Sequence, residues 1–396
     1  MKLSPSRSLL LALVAVIIIV GWTYINYRLA IVSPGGIDFL THWVGTRALF
    51  QGESPYSRDV AVRVQTAYYG RPAVIGENEF LDVYPLYAEL IFAPFAAIPN
   101  YELARAAWMT FLGLSTMALF LIPLRIVGWK PRITTFVLYM LYAVFGYHSV
   151  RPIFNGNVST VIALIIVCAV WATQAKKDAL AGLLTALSLA KPNLAILPAL
   201  FLIVWLASLG RWRFIFWFAG GFLALVLAGL LIIPNWPAQN LANVLRYNGY
   251  NPPTTIAAAL EFFLPAFGHW IGIAAYVAII IALIVQWRSV LGAGFHAFLP
   301  AFSFTLIASQ WLWVSTDPGN FITLALPLAL ILKNIEERAS GTIWANLSLG
   351  VLLIGLWALF LATMDRSQGN LQSPIMFFPL PAVLLGGLYA CRKAYQ

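Results

Sequence analysis

Asp38 and His42 are the residues whose types and spacing most directly suggest chemistry. They lie four positions apart in GGIDFLTHW, just after the first long apolar segment, so a helix would place both side chains on one face. A carboxylate can take a proton from an acceptor hydroxyl while a neighbouring imidazole binds the substrate or tunes the acid. Because aspartate after two glycines is also a common helix N-cap, a capping role for Asp38 is the alternative.

Lys191 and Arg151 are the cations that would suit an anionic phosphate. Arg151, Asn155 and Asn157 lie in RPIFNGN, which we expect to be a short external loop, and Lys191 and Asn193 lie in the triplet KPN. Arginine binds phosphate through its planar fork and lysine as a point charge. The alternative is that the arginine extends along the bilayer surface and the asparagines only form a turn.

Asp317 is a further candidate for binding acceptor or sugar. It lies in WVSTDPGN between two apolar segments, on the side predicted to be external, although Asp-Pro-Gly is also an ordinary turn. Tyr84, Tyr87 and Glu89 are candidates for the same pocket, but aromatic residues at a membrane interface commonly act only as anchors. The histidines and cysteines show no metal-ligand spacing, so the sequence predicts neither a metal nor another cofactor.

The composition places these side chains in a membrane protein. Of the 396 residues, 61% are apolar and only 10% are charged, and the mean hydropathy is +0.84. A water-soluble domain of this composition would expose large apolar patches. The apolar segments are too long for tilted β-strands, so we predict an all-α polytopic helical bundle. A carboxylate at the bilayer edge is then a functional candidate.

The chain is predicted to form one integral membrane domain over residues 1–396, with about 10–12 spans. The predicted segments are 9–28, 102–124, 133–148, 158–174, 179–190, 193–208, 214–233, 269–287, 295–313, 321–332, 342–363 and 375–390. Residues 31–101 are predicted to be the first extracytoplasmic loop, with interfacial helices, and 235–268 a second external loop over the same end of the bundle. Residues 179–208 are predicted to be a broken helical hairpin with KPN at its tip.

The net charge of +10 is a topology signal, because lysines and arginines concentrate in alternate connecting segments. The positive-inside rule places both termini in the cytoplasm of a bacterial-type plasma membrane and the candidate site on the extracytoplasmic side. No nucleic-acid partner is predicted. Lys191 is the one lysine outside the segments predicted to be cytoplasmic, and a lysine at membrane depth normally faces a cavity or a partner.

Four segments give a more specific pattern, namely DFLTHWVGTRALFQGESPY (38–56), YPLYAELIFAPFAAIP (84–99), NGNVSTVIALII (155–166) and AGLLTALSLAKPNLAILPAL (181–200). In this order and spacing they resemble glycosyltransferase family 87, which belongs to the GT-C superfamily and includes polyprenyl-phosphate-mannose-dependent mannosyltransferases. The resemblance covers the first half to two thirds of the chain. Where the family often has two adjacent prolines, this chain has Tyr84-Pro85-Leu86.

The resemblance implies a GT-C bundle that takes a mannose- or arabinose-type sugar from a polyprenyl phosphate, within membrane lipid, to a lipid or glycan acceptor. It places Asp38 at the catalytic base, Lys191 in the KP motif and Asn157 in the polar turn before the fourth span. The base would deprotonate the acceptor hydroxyl as it attacks the anomeric carbon opposite the phosphate, with inversion. Arg151 and Lys191 would stabilise the departing phosphate, a leaving group that does not require a divalent metal.

Two other classes of function compete with sugar transfer. A transporter or lipid flippase also places broken helices and single charges at membrane depth, but usually in symmetric halves, and KPN has no counterpart in the second half of this chain. A non-catalytic envelope scaffold would tolerate the loss of any single charge. A nucleotide-driven enzyme is disfavoured because the sequence lacks a G-x-x-x-x-G-K-[ST] loop.

Overall fold

The structure is a computed structural model that describes residues 5–33, 35–250, 255–312, 317–338, 340–365 and 372–391. Within these ranges the regular elements are helical, as the sequence predicts.

The α-helices are α1 (Pro5–Val32), α2 (Ile37–Phe50), α3 (Arg58–Tyr69), α4 (Glu89–Ala96), α5 (Tyr101–Val127), α6 (Ile133–Phe145), α7 (Tyr147–Asn155), α8 (Ser159–Gln174), α9 (Asp178–Ser188), α10 (Pro192–Ser208), α11 (Trp212–Ile232), α12 (Trp236–Tyr250), α13 (Ile256–Phe263), α14 (Gly268–Val290), α15 (Phe295–Ser309), α16 (Ala325–Glu336), α17 (Gly341–Thr363) and α18 (Pro379–Cys391). Short 3₁₀ helices cover Leu86–Ala88, Pro318–Leu324 and Pro374–Phe377.

Eight helical segments of the described chain are long and apolar enough to cross a membrane, which confirms a polytopic helical membrane protein. They are Arg7–Val32, Tyr101–Val127, Ile133–Asn155, Trp212–Ile232, Gly268–Val290, Pro318–Glu336, Gly341–Thr363 and Pro374–Cys391. Four more of the predicted spans correspond to α8, α9, α10 and α15, which are shorter apolar helices. Each predicted span therefore coincides with a helix, but not every one is long enough to cross a bilayer alone.

The bundle is layered around Pro318–Glu336. In its most apolar stretch 89% of the residues are buried, whereas in the most apolar stretch of α1 none is buried. A helix that is apolar all round and unburied by protein is suited to contact with lipid. α5 lies between these extremes and packs against α1, α8 and α16. Large side chains such as Trp108, Tyr139 and Phe302 fill the interior.

The two predicted external loops pack against each other. Residues 31–101 contain α2, α3 and α4, and α2 contacts both α3 and α4. The asparagines of α12 then bind this region, since Asn240 donates to the Tyr84 carbonyl at 2.9 Å and Asn243 donates to the Asp82 carbonyl at 3.0 Å. These contacts hold the 82–84 segment in place from above.

The segment predicted to be a broken hairpin, 179–208, consists of two helices in the structure. α9 ends at Ser188 and α10 begins at Pro192. Arg211 joins the base of the hairpin to the end of α8, because its guanidinium bonds to the Asp178 carboxylate and to the Thr173 carbonyl. Lys191, at the tip, bonds to Ser159 at the start of α8. The hairpin thus runs the length of α8, about 24 Å, and returns.

Candidate functional site

Two glycines set the position of Asp38. Gly35 and Gly36 have φ of 126° and 76°, backbone values that residues with a Cβ rarely adopt. The Gly36 amide donates to the Phe154 carbonyl at 2.9 Å, and a Cβ on Gly36 would lie 2.5 Å from Nε of Arg105. The start of α2 is therefore fastened to the end of α7.

A second close approach joins Phe39 to the turn after α7. Gly156 has φ of 73°, and a Cβ there would lie 2.5 Å from the Phe39 Cβ. Phe39 stacks on Trp108 at 5.6 Å, and the Trp108 indole donates to the Gly156 carbonyl at 2.8 Å. This packing brings Asp38 beside Asn157.

Asn157 connects the predicted base to the predicted cation. Its Nδ2 donates to Oδ2 of Asp38 at 2.8 Å, and its Oδ1 accepts from Nζ of Lys191 at 2.7 Å. Nζ of Lys191 also donates to the Ser159 hydroxyl at 2.7 Å and to Oδ1 of Asn320 at 3.1 Å. We call Asp38, Asn157, Ser159, Lys191 and Asn320 the polar network.

Lys191 is deeply buried among neutral acceptors. It is 2% exposed, and its bonded partners in the polar network are amide and hydroxyl oxygens. The ring of Tyr84 lies 5.4 Å from Nζ, a distance at which an aromatic face attracts a cation. A buried lysine without a directly bonded carboxylate has charge available for an anionic ligand.

Arg151 and Asp317 form a bidentate ion pair beside the polar network. Nε of Arg151 donates to Oδ1 of Asp317 at 3.0 Å, and a terminal guanidinium nitrogen donates to Oδ2 at 2.7 Å. Asp317 also accepts from the Gly319 amide at 2.6 Å, so the turn expected of Asp-Pro-Gly exists as well. Arg151 thus has a carboxylate partner, in contrast to Lys191.

The structure corrects one expectation about local structure and excludes one alternative. Arg151 and Asn155 lie in α7, not in an external loop, because the helix continues to Asn155 and only Gly156 turns the chain. Asp38 is not the cap of α2, since Gly36 holds that position and the Asp38 side chain bonds to Asn157 instead. The first turn of a helix still favours its negative charge.

Besides Arg151 and Asp317, three further predicted residues lie outside the polar network. Asn155 and Asn193 are half-buried and are not among its bonded members. His42 shares α2 with Asp38, but its Nδ1 lies 2.9 Å from Oε1 of Glu89 and 3.7 Å from Oδ2 of Asp82. Its ring is stacked between Tyr84 and Phe92. We call His42, Asp82 and Glu89 the acidic triad.

Three members of these two clusters were not predicted from the sequence, namely Ser159, Asn320 and Asp82. Ser159 follows Asn157 by two residues and Asn320 follows Asp317 by three, so proximity to a predicted residue was the only signal available. Serine and asparagine are too common in turns for their types alone to indicate a site.

Burial dominates the electrostatics of Asp38, Asp82 and Glu89. It raises the pKa of the Asp38 carboxyl above its ordinary value, while the charge of Lys191 and the hydrogen bond from Asn157 oppose that rise. Burial also raises the pKa of Asp82 and of Glu89, and it lowers the pKa of His42. A partly exposed carboxylate with a raised pKa is a stronger base than an ordinary aspartate.

Comparison with known proteins identifies a family for the middle of the chain. Residues 82–252 match the sequence profile of glycosyltransferase family 87. This range includes Asn157 and Lys191, begins after Asp38 and ends before Asp317. Neither the curated proteins nor the solved structures contain a match to this chain.

Proposed function

This chain carries a glycosyltransferase family 87 domain over residues 82–252 and is a membrane glycosyltransferase, and from that premise we propose what it transfers and how. Its donor is a polyprenyl-phosphate sugar of mannose or arabinose type. Its acceptor is a hydroxyl of a lipid or glycan. Asp38 acts as the general base.

The observation that carries this proposal is the bridge from Asp38 through Asn157 to Lys191. It places a partly exposed carboxylate and a buried cation one amide side chain apart. An acceptor hydroxyl needs a base and a departing phosphate needs a positive charge. Asp38 would meet the first requirement and Lys191 the second.

At the anomeric carbon one bond forms and one breaks, and a proton moves from the acceptor hydroxyl to Asp38. The acceptor oxygen attacks the anomeric carbon, the bond from that carbon to the phosphate oxygen breaks, and the bonding electrons leave with the polyprenyl phosphate. Asp38 takes the hydroxyl proton. Because attack comes from the side opposite the leaving group, the anomeric configuration inverts.

Lys191 is the better candidate for the phosphate ligand, and Arg151 for a positioning residue. Lys191 has only neutral partners in the polar network. The fork of Arg151 is occupied by Asp317, so in the proposed complex this pair orders the end of α7 and shapes the pocket beside the sugar.

The arrangement of basic residues supports an extracytoplasmic site. Asp38 lies where α5 begins, since the Tyr101 hydroxyl donates to the Gly36 carbonyl at 3.0 Å. Arg125 and Lys130 lie at the other end of that helix, about 40 Å away by its length. The positive-inside rule assigns the basic end to the cytoplasm.

Incubation of the purified protein with a panel of polyprenyl-phosphate sugars and a membrane-lipid acceptor mixture tests the proposal. Mass spectrometry should detect released polyprenyl phosphate together with a glycosylated acceptor. Asp38→Asn should lower transfer by about 10²–10⁴-fold without loss of expression or donor binding. Asp59→Asn, an exposed acid on α3, is the matched control. Full transfer by Asp38→Asn would remove Asp38 as the base.

A further inference from the structure

We propose that the acidic triad is a binding site for one divalent metal ion of the zinc and manganese class. The site joins α2, the segment at Asp82 and α4. It is separate from the polar network, and the inference stands whether or not the chain transfers a polyprenyl-linked sugar.

The distances between the ligand atoms fit a metal ion. Nδ1 of His42, a carboxylate oxygen of Asp82 and one of Glu89 all lie within 4.8 Å of one another. The two separations from Nδ1 are 2.9 Å to Glu89 and 3.7 Å to Asp82. Ligands about 2.0–2.2 Å from a metal, at tetrahedral or octahedral angles, are roughly 3.0–3.5 Å apart. Small side-chain shifts would therefore complete the shell.

One ligand atom has no hydrogen-bond partner. Asp82 is 3% exposed, and its Oδ2, which points toward Nδ1 of His42, is buried without a partner. A buried carboxylate oxygen left unbonded costs free energy. A cation at this point would satisfy it.

The outer oxygens of both carboxylates are already held by donors. Oδ1 of Asp82 accepts from the Tyr84 amide at 3.0 Å, and Oε2 of Glu89 accepts from the Thr46 hydroxyl. Each carboxylate therefore has one oxygen fixed from outside and the other turned toward the imidazole. Metal sites commonly have this second layer of hydrogen bonds, which orients the ligands.

The charge balance also favours a cation. In the described part of the chain no lysine or arginine forms an ion pair with Asp82 or Glu89, so two buried acids face a single imidazole. One divalent ion would neutralise both carboxylates. An imidazole with two carboxylates suits Zn²⁺ and Mn²⁺ better than Mg²⁺ or Ca²⁺, which prefer oxygen ligands only.

The competing explanation is a proton shared between the Asp82 and Glu89 carboxyl groups. A shared proton would also give Oδ2 of Asp82 a hydrogen-bond partner, but it predicts no bound metal and no response to chelators. Metal content and thermal unfolding distinguish the two, and neither measurement depends on sugar transfer.

The test compares the full-length protein with variants, each purified in detergent without chelator. After incubation with Zn²⁺ or Mn²⁺ and desalting, inductively coupled plasma mass spectrometry should find about one equivalent of metal per chain in the wild type and in Asp59→Asn. Treatment with EDTA should lower the unfolding temperature of both, and added Zn²⁺ should restore it.

Asp82→Asn keeps the acceptor for the Tyr84 amide but loses the ligand charge, and it should bind at least tenfold less metal and be insensitive to EDTA. Glu89→Gln serves as the second variant should Asp82→Asn fold poorly. The proposal would be overturned if the wild-type chain retained no metal and neither EDTA nor Zn²⁺ changed its unfolding temperature. So would Asp82→Asn and Glu89→Gln chains that bind metal as the wild type does.

Discussion

At the scale of single residues, the site depends on how one amide is shared. Asn157 presents its nitrogen to Asp38 and its oxygen to Lys191, so the charges of both partners determine its orientation. This arrangement gives separate predictions for the base and for the cation.

The pH dependence of transfer should reflect the environment of Asp38. A general base works when it is deprotonated, and burial raises the pKa of Asp38. The acidic limb of kcat/KM should therefore lie above the pH expected for an ordinary aspartate, with activity falling as the pH drops through the raised pKa. Asn157→Ala removes a hydrogen bond that lowers this pKa, so its limb should move to still higher pH. If Asn157→Ala leaves the acidic limb at the same pH, the Asn157 hydrogen bond does not affect the pKa of the base.

Replacement of Lys191 should separate activity from stability. Lys191→Met fills similar space without the charge, so transfer should fall by about 10²–10³-fold. The unfolding free energy of this variant should change by no more than about 1–2 kcal/mol. The variant loses the hydrogen bonds of the ammonium group, but it also avoids the desolvation cost of burying that charge. Donor turnover and thermal unfolding are the measurements. Lys333→Met is the control and should retain activity. In the wild type, Nζ of Lys333 donates to the Val127 carbonyl at the far end of the bundle.

At the scale of helices, the sequence predicts the apolar elements well and the polar contacts poorly. Long apolar runs and glycine or proline breaks locate the helices, including the break at Pro192. The prediction of a loop at RPIFNGN was wrong for the part that forms α7. It was made because arginine, proline and asparagine are typical of loops. In the structure Pro152 lies within that helix, and packing overrides the local preference.

The acidic triad shows why part of the site could not be predicted. His42 is 47 positions from Glu89, and no helical or turn spacing relates them. Only the packing of α2 on α4 brings them together, and a single sequence contains no signal for that contact. Asn157 and Lys191 were predicted because each lies at a break in an apolar pattern.

Gly156 should be intolerant of a side chain. In Gly156→Ala both the positive φ and the Phe39 contact oppose the new methyl group, so the variant should lose about 1–3 kcal/mol of stability and transfer sugar more slowly as Asp38 shifts from Asn157. Gly210→Ala is the matched control, because Gly210 has φ of 68° with nothing within 4 Å of the added Cβ. Thermal unfolding and turnover of both variants separate crowding from backbone strain. Equal losses in the two would exclude a role for the Phe39 contact.

At the scale of the whole molecule, the charge distribution predicts which face meets the cytoplasm. Asp59 and Lys176 are exposed residues in segments predicted to lie on opposite sides of the membrane. In a background with Cys168 and Cys391 replaced by alanine, a membrane-impermeant maleimide added to intact cells should label Asp59→Cys and leave Lys176→Cys unlabelled until lysis. The reverse pattern would place Asp38 in the cytosol and contradict the proposed site.

The amide of Asn157 has a consequence for the timing of the proposed reaction. When Asp38 gains the hydroxyl proton it loses its negative charge. The hydrogen bond from the amide nitrogen to Asp38 therefore weakens as the sugar is transferred. The oxygen of the same amide then holds Lys191 less tightly, and the ammonium group becomes freer to follow the outgoing phosphate. One side chain would in this way synchronise the two halves of a substitution that take place on opposite faces of the sugar.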